Sequence, residues 1–238
     1  MSAGDLADAH DANLVDGPFT NVANGTVRYA NGTLCFRSNR TAQVANATGP
    51  FYRVAQFEES LPYPYPDRLR TWSNGEQVVT DGNITYTLTQ NPTRSDYDFR
   101  NSMFLTLFTA LETRVVGQET RNGTELHRVR ATNLTNSEYL PTPLTIAPAQ
   151  NPRNISFRAL VDSQGIVRSY SLAYTATVTQ RGANTTYRIT QSARWTDIGS
   201  TTVERPAWYE AANRTTTAGS AGLVRPSAEQ LWTPPRNA

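Results

Sequence analysis

"NISFRALVDSQGIVRSYSLAYTATVT", residues 154–179, decides the fold class of this chain. Its second half alternates without a slip: Tyr170, Leu172, Tyr174, Ala176 and Val178 on one side, Ser169, Ser171, Ala173, Thr175 and Thr177 on the other. A period of two, with one apolar and one hydroxyl-bearing face, is a strand that buries one side. The first half repeats the pattern with Ile155, Phe157, Ala159 and Val161, and Asp162-Ser163-Gln164-Gly165 supplies the turn between them. Downstream, "TTYRITQSARW" (185–195) puts Tyr187, Ile189, Ala193 and Trp195 in phase behind a turn at 181–184. Three such runs in succession predict an antiparallel meander.

The same signals extend outward. Asn31-Gly32, Ser73-Asn74-Gly75, Asp81-Gly82 and Arg121-Asn122-Gly123 each sit between strand-like runs and predict hairpins. Nine or ten antiparallel strands are expected, making the chain mainly β. Two segments break the period. Leu6, His10 and Leu14, four apart with Asp8 and Asp11 between them, predict an amino-terminal helix within residues 1–15. "NSMFLTLFTALETR" (101–114) places Met103, Phe104, Leu107, Phe108 and Leu111 at helical spacing behind a capping Asn101 or Ser102. A face that apolar must lie on the sheet or close over a cavity. "LPYPYPDR" (61–68) reads as a polyproline-type loop, and the polar stretch 213–238 reads as a flexible tail behind a single domain of residues 1–212.

At 238 residues and 38% hydrophobic content the chain is long enough for a substantial core. Its basic residues are all Arg and are scattered singly, and the net charge is only +2, which gives no basic stripe for nucleic acid. One cysteine, Cys35, excludes an internal disulfide and a cysteine-based metal site. No run reaches membrane-spanning length.

Ten Asn-x-Ser/Thr acceptors stand against roughly four expected from composition: Asn24, Asn31, Asn39, Asn46, Asn83, Asn122, Asn133, Asn154, Asn184 and Asn213. Turn chemistry accounts for Asn31 and Asn122 without any sugar, but it does not account for Asn39, Asn46, Asn133 or Asn213. The excess points to an exported, glycosylated chain. Catalytic chemistry is not announced. His10 and His127 lie in different elements without metal-ligand spacing, and Cys35 has no evident base. Glu58, Glu59, Glu112 and Asp197 are carboxylates of the kind any domain this size carries. No enzyme, cofactor or metal is expected. The aromatic set of Tyr63, Tyr65, Trp72, Phe104 and Phe108 is either ordinary packing or the wall and mouth of a lipid pocket.

"LADAHDANL", "TVRYANGTL", "DRLRTWSNGEQVV", "TRVVGQETRNGTELHRVRATNL" and "WTDIGSTTVERPAWYEAA" together resemble a family of haloarchaeal surface lipoproteins of unassigned function. That family looks like a distant relative of the LolA and LprG lipoprotein and lipid carriers. The resemblance implies an antiparallel sheet curved into an incomplete barrel, with helices plugging its concave face. It also implies a signal peptide and a lipidated cysteine. Here Cys35 lies inside a strand run and the chain opens on the helix, so membrane association is expected through an anchor outside these residues. The 20 acidic against 22 basic residues depart from the acidic balance usual in salt-adapted proteins. Two functions follow. One is a cell-surface module holding a lipid or other hydrophobic small molecule between the sheet and the 101–114 helix, with Met103, Phe104, Leu107, Phe108, Leu111, Tyr63, Tyr65 and Trp72 as the pocket. The other is a glycosylated structural protein with a filled core.

Overall fold

The computed structural model describes residues 3–14, 17–46, 49–59, 66–82, 86–90, 102–140, 150–180 and 183–219. The amino-terminal meander comprises β1 (Phe19–Tyr29), β2 (Leu34–Val44), β3 (Phe51–Glu59), β4 (Arg68–Ser73), β5 (Gln77–Asp81) and β6 (Tyr86–Gln90). The carboxyl-terminal one comprises β7 (Leu111–Arg121), β8 (Thr124–Leu134), β9 (Gln150–Asp162), β10 (Val167–Gln180) and β11 (Ala183–Thr196). Helices α1 (Ala3–Leu14), α2 (Ser102–Ala110) and α3 (Tyr209–Gly219), with a short 3-10 turn at Ser137–Tyr139, complete the described elements. All eleven strands join one antiparallel sheet in the order β6-β5-β4-β3-β2-β1-β11-β10-β9-β8-β7. The sheet is curved and does not close into a barrel.

The two meanders meet where β1 pairs with β11 from Thr20↔Thr196 to Tyr29↔Tyr187. The chain must therefore travel from the β6 edge to the β7 edge between its two halves, and α2 is the described part of that passage. A curved sheet leaves a hollow on one side, and both α1 and α2 bury their apolar residues there. Leu6, Ala7 and Leu14 of α1 and Phe104, Leu107, Phe108 and Ala110 of α2 share one core with Phe157, Tyr170, Leu172, Tyr174 and Trp195 of the sheet. That core continues onto Phe19, Val27, Phe36 and Val44 of β1 and β2.

The hairpins form at the predicted turns. Asn122 and Gly123 take φ values of 49 and 78, the paired positive angles of a two-residue hairpin turn. At the first hairpin, Asn31 Oδ1 accepts the Thr33 N–H at 3.0 Å while Gly32 holds φ 90, so Asn31 serves the turn itself. The turn between β9 and β10 is organised by Asp162, 4% exposed. Its Oδ1 accepts from the Gln164 and Ile166 N–H groups, and its Oδ2 accepts from Arg168 Nε at 2.7 Å. Helix α1 docks on this turn: Asn13 Nδ2 donates to the Gln164 carbonyl at 2.9 Å, and the Val167 N–H donates to His10 Nδ1 at 3.0 Å.

Two boundaries differ from the sequence reading. The mid-chain helix ends at Ala110 instead of Arg114, and Leu111 opens β7, because the β-branched Thr113 and Val115 pair with β8 in a ladder that starts at Leu111↔Leu134. The stretch expected as a tail from residue 213 is helical to Gly219, since Tyr209 and Ala212 find an apolar surface on the sheet's convex side. Residues 220–238 lie outside the described residues.

Candidate functional site

The concave side under α2 is an aromatic cluster. The Phe104 ring meets His10 at 4.6 Å between centroids, Trp195 at 5.0 Å, Tyr170 at 5.4 Å and Phe108 at 6.0 Å. Phe108 in turn meets Phe157 edge-on at 5.8 Å. These separations suit favourable edge-to-face and offset ring contacts. The helix ends are held differently from its face. At the carboxyl end the Thr135 and Asn136 N–H groups donate to the Ala110 carbonyl, and Thr135 Oγ1 donates to the Thr109 carbonyl. The face itself meets the sheet through the non-directional packing of Phe104, Leu107 and Phe108.

The expected pocket residues are thus only partly brought together. Phe104, Leu107, Phe108 and Leu111 join the concave core, Leu111 from the head of β7 instead of the helix. Met103 lies within α2, its side chain outside the described residues, and Tyr63 and Tyr65 also lie outside them. Trp72 belongs to the opposite side. In β4 it pairs with Tyr52 and Val79, a row whose side chains face away from the concave row of Phe51, Ser73 and Val78. On that convex side it packs edge-on against Tyr209 of α3 at 4.5 Å, with Tyr86 stacked on Trp208 nearby. The signal was in the sequence: Val78 and Val79 are consecutive, and Phe51 and Tyr52 are consecutive, so these strands are apolar on both faces and need a cover on both.

A second missed residue is Arg40. It pairs with Ala23 on one side and Ala55 on the other, both buried, and it is in phase with Ser38 and Ala42 along its own strand. It therefore stands on the concave face, yet it remains exposed. Burial lowers its ionisation from the ordinary arginine value, with Tyr170 acting in the opposite sense. Burial pushes the Tyr170 hydroxyl up to about 12, and the charge of Arg40 partly opposes that. Arg40 thus combines accessible surface with desolvation by the protein around it. An inward-phase arginine between Phe36 and Val44 was the sequence signal.

His10 is fully buried and His127 half-buried, and Cys35 is buried in β2. Glu58 pairs with Arg37 at 2.7 Å, and Glu112 accepts from Asn133 Nδ2 at 2.8 Å. Among the described residues no three His, Cys, Asp or Glu side chains gather as a metal site, and no helix is long and apolar enough to cross a membrane. The acceptors Asn24, Asn31, Asn39, Asn122, Asn133, Asn154 and Asn184 are exposed, while Asn46 and Asn213 are half-buried. Asn213 sits within α3 instead of on a tail, and Asn83 lies outside the described residues. Asn24 and Asn39 face each other across β1 and β2 on the convex side. Near them an open depression of 290 Å³ is edged by Asn24, Ser156, Arg158, Ser171 and Thr190, with Leu172 and Ala173 also in its lining.

Among solved structures, LprF from Mycobacterium bovis aligns at 8% identity and a TM-score of 0.44, over 86% of this chain and 96% of that one. The lipoprotein LppX from Mycobacterium tuberculosis aligns at 7% identity and 0.40, over 85% and 99%. A LolA-superfamily protein from Nitrosomonas europaea aligns at 6% identity and 0.31, over 86% and 96%. No curated protein matches. The family model that matches spans residues 71–212, more than half of the chain and from the middle of β4 into α3. On that match the chain belongs to the family of unknown function DUF7537.

Proposed function

We propose that this chain is a binding module, not an enzyme, and that it holds a lipid or another hydrophobic small molecule between its concave sheet face and α2. One observation carries the reading. The cover over the aromatic floor is a nine-residue helix whose sheet-facing contact is made of Phe104, Leu107 and Phe108. Apolar packing of that kind is replaceable by an acyl chain of similar area, whereas a directional hydrogen-bonded lid would not be. The helix is tied at its Ala110 end to the residues that follow β8, and that end is the pivot about which we propose it lifts. The module works outside the cytoplasmic membrane, at the cell surface. The display of seven acceptor asparagines on exposed positions supports export, and N-glycans are expected at several of them. Because Asn24 and Asn39 are direct cross-strand neighbours, a glycan on one is expected to hinder modification of the other.

A second reading has its own observation. Phe104, Leu107 and Phe108 are 1%, 0% and 3% exposed, which is also what a filled structural core looks like. Native mass spectrometry of protein purified from its own cells separates the two. A lipid-sized adduct that leaves on gentle activation supports binding. A protein free of such adducts, which also takes up no added fatty acid or phospholipid, establishes the structural reading. The same spectrum reports glycans, and a mass equal to the bare polypeptide overturns the export proposal.

A further inference from the structure

The strand register sets one row of residues across the hollow. From β9 to β4 it reads Ala159, Tyr170, Ala193, Ala23, Arg40, Ala55 and Leu69. Two alanines separate Tyr170 from Arg40, so on a concave surface nothing bulky on that row stands between the aromatic cluster and the guanidinium. The four nearest positions on the same face, Ser38 and Ala42 along β2 and Ala23 and Ala55 across it, are all small and all buried. The arginine thus rises from a floor of small side chains.

Among the described residues Arg40 joins no ion pair, and Tyr170 is the group that acts on its ionisation. The ion pairs of the described residues engage Arg37, Arg70, Arg121, Arg168 and Arg205, and none engages Arg40. A guanidinium outside any ion pair, on a face that is mostly apolar, is unfavourable unless an anion or water compensates it. Arg53 of β3 is on the same face, one row further along, and directs Nη2 to Thr71 Oγ1 at 3.4 Å. The hollow is therefore electropositive on its β2–β3 side and apolar on its β9–β11 side.

We propose that Arg40 is the headgroup site of this hollow: the ligand is an anionic amphiphile whose carboxylate or phosphate meets the Arg40 guanidinium while its acyl chain runs over Ala23 and Ala193 toward Tyr170, Phe157 and Phe104. This rests on the concave face being a ligand site and adds the chemical class of the ligand. The planar guanidinium offers paired N–H donors to an oxyanion, and such charge-assisted contacts are stronger than neutral ones. The alanine strip provides the path between head and tail.

The test titrates the full chain with four ligands: palmitate, palmitoyl lysophosphatidic acid, the uncharged monopalmitoylglycerol, and inorganic phosphate. The two anionic amphiphiles are expected to bind about tenfold to a hundredfold more tightly than the neutral one. Arg40→Gln is expected to remove that advantage, so that anionic and neutral ligands bind alike, with Arg40→Lys intermediate. Palmitate against lysophosphatidic acid tells carboxylate from phosphate. Equal binding of charged and neutral amphiphiles by the unmodified protein overturns the headgroup assignment and leaves the hydrophobic reading standing, whether or not either variant folds. Inorganic phosphate binding as tightly as lysophosphatidic acid overturns the amphiphile in favour of a free oxyanion. If no amphiphile binds at all, the headgroup assignment and the reading beneath it both fall.

Discussion

Phe104→Ala is the substitution that separates a lid from a plug. The ring is 1% exposed and contacts His10, Trp195, Tyr170 and Phe108 with centroids 4.6 to 6.0 Å away. Losing a phenyl group from such a site removes its transfer free energy and leaves a space that the rigid sheet side cannot fill, at a cost of about 3–5 kcal/mol. For a chain of this size that is a fall in melting temperature of roughly 10 °C. The contact being lost is the one that keeps α2 closed. If ligand entry requires α2 to lift, weakening the closed state lowers the cost of opening, and apparent affinity for a fluorescent fatty acid should rise as stability falls. Thermal melting followed by circular dichroism and a fluorescence titration on the same samples measure both. A stability loss under about 1 kcal/mol would refute the docked position of the helix. A full loss together with undetectable fatty-acid binding by both proteins would refute the lid and leave a plain core residue.

Three further outcomes follow from the packing. Trp72→Ala should lose about 3–5 kcal/mol by releasing α3 from the convex face, yet leave fatty-acid affinity unchanged, because the hollow is on the other side of the sheet; a loss of binding at retained fold would place Trp72 in the site after all. Asp162→Ala should destabilise by about 3–5 kcal/mol in chemical denaturation, since it strips Arg168 of its buried partner and two turn N–H groups of their acceptor; an effect near zero would mean the turn holds without it. Alkaline pH should unfold the protein through its buried tyrosines. Tyr170 is raised from 10.0 to about 12, so its contribution is intact below pH 10 and is lost as pH climbs toward 12, about 3 kcal/mol in all. Urea melts between pH 9 and 12 read this, and an identical pH slope in Tyr170→Phe would contradict it.

Much of this fold was legible because strand parity is a local property. The alternation of Tyr170 to Val178 and of Tyr187 to Trp195 states which face each side chain takes, and the observed core takes those faces. The turn asparagines and the apolar helix were equally local. What sequence could not supply depended on partners far along the chain. Leu111 reads as the last turn of a helix until β8 is there to pair with it. Trp72 reads as pocket aromatic until Tyr52 and Val79 fix its face and α3 covers it. Arg40 reads as one scattered arginine among many until β1 and β3 surround it with alanines. The pairing of β1 with β11, which brings Arg40 and Tyr170 onto one row, joins residues more than a hundred positions apart.

The central claim, that a hydrophobic ligand sits between the concave face and α2, is tested most directly by photo-crosslinking with a diazirine-bearing palmitate followed by peptide mass spectrometry. Crosslinks are expected on peptides carrying Phe104, Phe157, Tyr170 or Trp195 and on the Ala23 and Ala193 strip, and excess unlabelled palmitate should suppress them. Crosslinks confined to the convex side around Trp72 and Tyr209, or none that unlabelled palmitate suppresses, would contradict the account.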